Sequence, residues 1–361
     1  MKKLIPVLVL TLIVSLLAGC AGTTVVVCTC PTESGVTAPV AAEAPAEPAP
    51  TAAPAETAVK TGLYIGASIA DSVSAAAEEA GEAKFDVTVA AVNVDDNGVI
   101  TSCVIDSIPA SVKFGADGVI TSDVTAAIAT KNELGENYGM KAYGGAKYEW
   151  NEQVAALASY AVGKTVEELK TGAVNESGKA ADADLASTAT IYLGGFVSAI
   201  EQAVNNAAHL GAQLGDELRL ASVSSLSDSK SADAENAGAA QLNADVTALT
   251  LSGKIITSCT IDSVQAKVNF DANGTVTTDV SAMPMTKNQL GENYGMKLYA
   301  GSAFEWNEQA AAFAAYVTGM TAEDVNGMAV NERTAPLDAD LAATVTIAVG
   351  GFQALIAKAA A

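Results

Sequence analysis

A run of 22 residues occurs twice in this chain, nearly letter for letter. NELGENYGMKAYGGAKYEWNEQ at residues 132–153 returns as NQLGENYGMKLYAGSAFEWNEQ at 288–309, 156 positions later. Extended outward, 101–205 align with 257–361 without a gap, and more than half of the positions are identical. Further upstream the offset becomes 157, pairing Asp71 with Asp228 and Gly81 with Gly238. The one-residue difference falls in a turn, DDNG at 95–98 against SGK at 252–254, where a solvated backbone absorbs insertions easily. Solenoid repeats run about 20–50 residues, so a period this long is that of a domain. The chain is therefore a tandem duplication. Its expected organisation is a leader over 1–20, a tether over 21–58, a first copy over 59–210 and a second over 211–361.

Charge and composition exclude whole classes of function. The formal net charge is −22, from 41 acidic and 19 basic residues. Such a balance repels a phosphate backbone, so nucleic acid is not an expected partner; acidity of this kind keeps a surface protein soluble. Aromatic residues make up only 5% of the chain, which predicts a core of small, closely packed side chains around a few large anchors. With a single histidine, most familiar nucleophilic and metal-binding arrangements are ruled out. That residue, His209, falls in the linker between the copies and is expected to be incidental.

The N-terminus reads MKKLIPVLVLTLIVSLLAGC. Lys2 and Lys3 precede an apolar run from Leu4 to Leu17 that is too short for a comfortable membrane span. Leu17-Ala18-Gly19-Cys20 resembles the lipobox of bacterial lipoproteins. The resemblance implies cleavage before Cys20, lipid on Cys20, and a mature protein anchored to the outer face of a membrane rather than spanning it. Cys28 and Cys30 lack a nearby histidine or further cysteine to complete a tetrahedral site, so no metal is expected there. From Pro31 to about Ala58 the chain is rich in Ala, Pro, Glu and Thr, with six of its ten prolines. Such a segment cannot bury enough apolar surface to offset its ordering, and it reads as an extended tether.

In the first copy, residues 70–81 (ADSVSAAAEEAG) predict a short Ala-rich helix stopped by Gly81. DVTVAAVNV (86–94) and VITSCVIDS (99–107) flank Asp-Asp-Asn-Gly and predict a hairpin, since Asn-Gly readily takes the positive φ of tight turns. SVKF (111–114) and VITSDV (119–124) predict another. Trp150, Val154 and Leu157 recur at helical spacing in a helix ended by Gly163. Thr165 to Glu168, like Thr321 to Asp324, reads as a capping box, and residues 185–205 as a final helix. Strands followed by helices predict an α+β domain: an antiparallel sheet with packed helices, made twice. Each copy has strands, a Trp anchor and a terminal helix, so each is expected to fold by itself. Cys103 and Cys259 are expected to be buried, inert thiols with no disulfide between them. Trp150 and Trp306 are expected core anchors. Tyr138, Tyr143, Tyr294 and Tyr299, and the glycines of LGENYGMK, read equally as ligand contacts or as plain structure.

Asp184, Ser187, Ala189 and Thr190 lie in the stretch DLASTAT, just before or inside the last helix. Here the chain resembles the FMN-binding domain family of bacterial envelope electron-transfer proteins. That family's flavinylation pattern runs Asp, two variable residues, Ser or Thr, Gly, Ala, then the Thr or Ser that receives FMN through its phosphate. Thr188 stands where Gly is usual, Ile191 and Tyr192 follow the acceptor, and the second copy reads DLAATVT, keeping only Asp340 and Thr346. Leu134-Gly135 and Trp150 also fall in places the family fills. The resemblance implies an FMN-binding-domain-like fold, with FMN attached covalently at Thr190 and Thr346 as the weaker counterpart. It also implies a flavin transferase and envelope redox partners, and an electron carrier or binding protein rather than a catalyst. The alternative is a non-catalytic envelope module with a flavin-free version of the fold. The repeated Gly194-Gly195-Phe196 and Gly350-Gly351-Phe352 predict a close neighbour, because two helical glycines cost about 1 kcal/mol each relative to Ala; that neighbour is the sheet or a flavin.

Overall fold

The computed structural model describes residues 58–361; the expectations for Cys20, Cys28, Cys30 and the tether lie outside these residues. Among the described residues no helix is long and apolar enough to cross a membrane. Each copy begins with three strands: β1 (Lys60–Ser68), β2 (Gly81–Val94) and β3 (Ile100–Phe114), then β4 (Glu217–Ser225), β5 (Gly238–Ser252) and β6 (Ile255–Phe270). Both triplets are antiparallel meanders, in the orders β1-β2-β3 and β4-β5-β6. The turn after β2 has Gly98 at φ 80°, and Gly253 takes φ 61° in its counterpart after β5, as tight hairpins require. The architecture is α+β.

Helices follow the strands in each copy. The first has α1 (Lys131–Leu134), α2 (Met140–Gly144), α3 (Trp150–Ala161), α4 (Val166–Gly172), α5 (Ala183–Thr188) and α6 (Gly194–Asn205). The second has α7 (Lys287–Leu290), α8 (Met296–Ala300), α9 (Trp306–Val317), α10 (Ala322–Asn326), α11 (Ala339–Ala342) and α12 (Gly350–Ala359). The capping boxes at Thr165 and Thr321 are both formed.

Strand alternation explains how the layers stack. Ala83, Phe85, Val87, Val89 and Ala91 of β2 face the other sheet, where Ala240, Leu242, Ala244, Val246 and Ala248 of β5 join them in one core. Phe114 and Phe270, at the ends of equivalent strands, stack with ring centroids 4.0 Å apart. The opposite faces, through Ala90, Val92 and Val94 on one sheet and Leu249 and Leu251 on the other, are covered by that copy's own helices. The order of layers is helices, sheet, sheet, helices. Against the expectation that each copy folds by itself stands this central apolar layer, which the two copies share.

The segment predicted as an Ala-rich helix is not helical. Its backbone groups find partners elsewhere: Val73 N–H and Glu82 N–H exchange bonds with each other's carbonyls, and Ala75 N–H donates to Gly274 O in the other copy at 2.8 Å. Ala232 N–H donates to Gly118 O at 2.8 Å in the mirror-image contact. Ser74 Oγ accepts from Val276 N–H and Ser231 Oγ from Ile120 N–H. These two straps join the copies about a pseudo-twofold axis, each giving the other the same contact. The predicted second hairpin is also corrected. Residues 111–114 are the end of one long strand, β3, and residues 119–124 return beside it not as a strand but through the bridge from Phe114 to Ile120 and side-chain bonds of Thr121 and Ser122 to Lys113. Pro109 sits within β3, opposite Asp86, and β3 is a sheet edge, where a residue without N–H is tolerated.

The linker runs beside the first copy's sheet. Thr61 and Ala208 exchange backbone hydrogen bonds along the free edge of β1, Val59 N–H reaches Ala212 O, and His209 Nε2 lies 3.0 Å from Asp96, itself paired with Lys60. Cys259 is buried and Cys103 partly so; burial pushes both thiols up to about 12, and no disulfide links them.

Candidate functional site

The repeated Glu-Trp-Asn-Glu-Gln opens α3 and α9, and each residue has a separate task. Glu149 is 2% exposed. Its carboxylate accepts Met140 N–H at 2.8 Å and Lys141 N–H at 3.0 Å, closing the start of α2, while its own N–H donates to Glu152 at 2.7 Å. That bond, with Lys141 beside it, holds Glu152 below the usual carboxylate range. Glu305 repeats the pattern with Met296 and Lys297 at 2.8 and 3.0 Å. Trp150 and Trp306 are buried and meet Phe196 and Phe352 edge-on. The glycines of LGENYGMK serve as turn and cap residues: Gly135 N–H returns to Lys131 O and Gly139 N–H to Glu136 O.

Gln153 connects this helix start to the predicted flavin segment. It is fully buried. Its Oε1 accepts Thr190 N–H at 2.8 Å, Thr190 Oγ–H at 3.2 Å and Ile191 N–H at 3.1 Å, and its Nε2 donates to Tyr148 O at 3.0 Å. Gln309 does the same for Thr346 and Ile347. Sequence reasoning missed both glutamines; the signal was their place in a motif kept whole in both copies.

The predicted helix over 185–205 is therefore two helices. Residues 189–193 are drawn out of helical geometry, Ala189 taking φ −100° and ψ 106° after α5. The N–H groups of Thr190 and Ile191, which a continuous helix would use internally, go to Gln153 instead. Asp184, Ser187, Ala189 and Thr190 do lie together on α5 and the loop after it, but Thr190 is not at a helix N-terminus. α5 is capped by Asp182, which accepts Leu185 N–H at 2.9 Å, whereas Asp184 is exposed in the first turn. Asp338 caps α11 in the same way. Ser187 Oγ donates back to Asp184 O at 2.7 Å. Ala189 is buried, like Val345 in the second copy, so small size at this position serves the core.

The surroundings of the two threonines differ. Beside Thr190, Lys179 Nζ donates to the Thr190 carbonyl at 2.8 Å. Tyr192 is 59% exposed, and its ring lies where a side chain at Gly178 (φ 70°) or Gly194 would be. The sheet is thus not what crowds Gly194; Tyr192 is, and a side chain at Gly195 would only just touch the same ring, at 4.0 Å. In the second copy Lys179 becomes Ala335 and Tyr192 becomes Ala348. Gly178 becomes Thr334, held at φ 57° with its own side chain against Gly350. Thr190 and Thr346 are both exposed, but the lysine bonded to the Thr190 carbonyl and the exposed tyrosine two residues on have alanines in their places in the second copy.

Cavities of about 310 and 450 Å³ lie at the junction of the copies. They are lined by Tyr64 and Ile65 of β1 with Gln289, and in the larger by Met283, Pro284 and Met285. Neither includes the Thr190 loop. No protein-family model, curated protein or solved structure matches this chain.

Proposed function

We propose that this chain is an envelope-anchored flavin carrier, tethered by lipid on Cys20 and bearing one FMN through its phosphate on Thr190. The supporting observation is the asymmetry between the copies. The same threonine is held by the same glutamine twice, and only the first has Lys179 and Tyr192 beside it. The residues fit the group in three respects. Thr190 is exposed, so a flavin transferase can reach it. Lys179 is placed to neutralise a phosphodiester on Thr190, and Tyr192 offers an aromatic face. Attachment would form an ester between Thr190 Oγ and the flavin phosphate, from a flavin dinucleotide whose diphosphate bond breaks as the nucleoside monophosphate leaves; the hydroxyl proton is released, and with it the Oγ–H bond to Gln153. The two N–H bonds to Gln153 hold the loop before and after. FMN supplies the redox chemistry, and the protein supplies position.

A second reading, a flavin-free binding module, is favoured by one observation: Gln309 holds Thr346 as Gln153 holds Thr190, so the threonine has a structural role without any ligand. Mass spectrometry of the protein co-expressed with a competent flavin transferase separates the two. The carrier reading expects one FMN on Thr190, none on Thr346, and loss of flavin absorbance in Thr190→Val with the fold kept. Absence of both bound FMN and a flavin spectrum leaves the module reading. For the anchor, Cys20→Ser is expected to leave membranes or to escape processing; unchanged membrane partitioning rejects the lipid anchor.

A further inference from the structure

The outer edge of a sheet carries a row of N–H and C=O groups that another strand is shaped to pair. On β1 that row belongs to the odd-numbered residues. Thr61 exchanges backbone bonds there with Ala208 of the linker, in antiparallel sense, and Leu63 O accepts Asn206 Nδ2 at 2.9 Å. The linker thus lies on this edge as a short added strand, and it leaves before Ile65. Ile65 and Ala67 continue the row. They are 3% and 2% exposed, and among the described residues their outward N–H and C=O groups have no hydrogen-bond partner.

The two cavities at the junction of the copies run along this stretch of β1. Across the one of about 310 Å³ stand Thr260, Asp262, Asn288 and Gln289, and across the one of about 450 Å³ stand Met283, Pro284 and Met285. Met283 and Met285 are 67% and 51% exposed; unbranched thioether side chains of this kind adapt to varied apolar partners.

The opposite junction shows how such an edge is closed. There Ser222 takes the place of Ile65 and Glu133 that of Gln289. Lys358 of α12 donates to Ser222 O at 2.7 Å and pairs with Glu133, and a lysine laid on an edge strand is a common guard against further pairing. Ala127, Ile128 and Ala129 replace Met-Pro-Met, and Ile128 packs on the shared core. On the β1 side the neutral Gln202 stands where Lys358 does. Two other substitutions in the lining of the smaller cavity, Tyr64 for Ala221 and Thr260 for Val104, supply no hydrogen bond to Ile65. One edge is guarded and the other is open.

We propose that the groove along Ile65 and Ala67 takes an extended segment of a protein partner as an added antiparallel strand, continuing the line of the linker. Side chains of a strand alternate between its faces, so residues two apart, about 7 Å, reach the two cavities in turn. The inward-facing pair is an apolar residue on Met283 and Met285 and, two positions on, a basic one at Asp262. A net charge of −22 draws a basic partner. The site uses neither Thr190 nor its loop, and it is tested on protein made without a flavin transferase.

The probe is the end-blocked peptide Thr-Val-Thr-Leu-Thr-Lys-Thr-Val-Thr, added to the full chain. Hydrogen exchange is expected to slow saturably at the Ile65 and Ala67 amides and to stay unchanged at Thr61, which is already bonded. Glutamate in place of the peptide's lysine should weaken binding about tenfold or more. In the chain, Gln202→Lys should bring the guard of the opposite junction to β1 and weaken binding by a similar factor, with an unchanged urea midpoint as the control for folding. Met283→Ser should weaken it several-fold. The proposal is overturned if millimolar peptide leaves Ile65 and Ala67 unprotected, if the glutamate peptide binds equally well, or if folded Gln202→Lys binds like the wild type. Protection that needs no peptide and grows with protein concentration would make the occupant a second copy of this chain, and would overturn it as well.

Discussion

At the scale of single residues, one buried side chain decides where the last helix breaks. Gln153 takes two backbone N–H groups and a hydroxyl on one oxygen. Gln153→Leu keeps the volume and strands those donors, each worth about 1–3 kcal/mol when buried without a partner. The expected loss is at least 2 kcal/mol by urea unfolding, against about 1 kcal/mol for Thr190→Val, which removes only the hydroxyl bond. Because the two residues share a bond, the double variant should cost less than the sum; strict additivity would mean that the bond contributes nothing. Two buried carboxylates give a second residue-scale test. Burial pushes Asp106 and Asp262 above the usual aspartate range, against hydrogen bonds from Thr130 or Thr286 and from nearby backbone N–H groups. A raised folded-state pKa contributes stability that is present below the unfolded value and lost as pH rises through the folded one. The neutral Asp106→Asn should therefore gain on the wild type as pH climbs from the ordinary aspartate range upward. A wild-type-minus-variant difference that is flat with pH, or runs the other way, contradicts the cause assigned to the shift. Asp184, Ser187, Ala189 and Thr190 fall on α5 and the loop after it, with Thr190 away from a helix N-terminus. What the sequence did not reveal is their employment, because Gln153 reaches the loop from a helix 37 positions away in the chain.

At the scale of elements, what was legible divides along the line between local and distant partners. The β2–β3 hairpin could be read because alternation and a Gly turn are properties of neighbouring residues. The helix from Trp150 could be read from the spacing of its apolar residues, and the start at Thr165 because a capping box closes within four residues. The Ala-rich stretch at 70–81 misled because helix propensity is a weak prior, and the strap's hydrogen-bond partners belong to the other copy. Proline substitution separates strap from helix. Ala75→Pro deletes the N–H donated to Gly274 O and should cost about 1–3 kcal/mol. Ala77 is the second residue of the turn closed by Glu79 N–H to Ala76 O, a position where proline is favoured. Ala77→Pro is expected to leave stability within about 0.5 kcal/mol of wild type. In a true helix both prolines would be disruptive, so equal losses at 75 and 77 in urea unfolding would reject the strap.

At the scale of the whole molecule, the duplication behaves as an internal dimer. Each sheet has one face under its own helices and the other against its twin, so neither copy can close its core alone. The repeat was plain in the sequence, but the sharing was not. Alternating apolar residues show that a strand face is buried without showing what buries it, and a sheet buried on both faces reads the same whether the second cover is a helix or another sheet. Consequences follow for the centre and for the halves. Phe114 and Phe270 are both fully buried and stack on each other. Phe114→Ala and Phe270→Ala should each cost about 3–5 kcal/mol, and the double variant clearly less than the sum. A fragment of residues 58–213 would leave Phe85, Ile108, Val112 and Phe114, all fully buried in the intact chain, without their opposite wall. It is expected either to unfold without a sharp transition or to pair with itself through the inner face of its sheet, since that face already meets a homologous copy about a pseudo-twofold axis. Sedimentation and urea unfolding of the fragment distinguish these outcomes from autonomy. A monomeric fragment with a cooperative transition would show that the shared layer is dispensable, and the two copies would then be independent domains that merely touch.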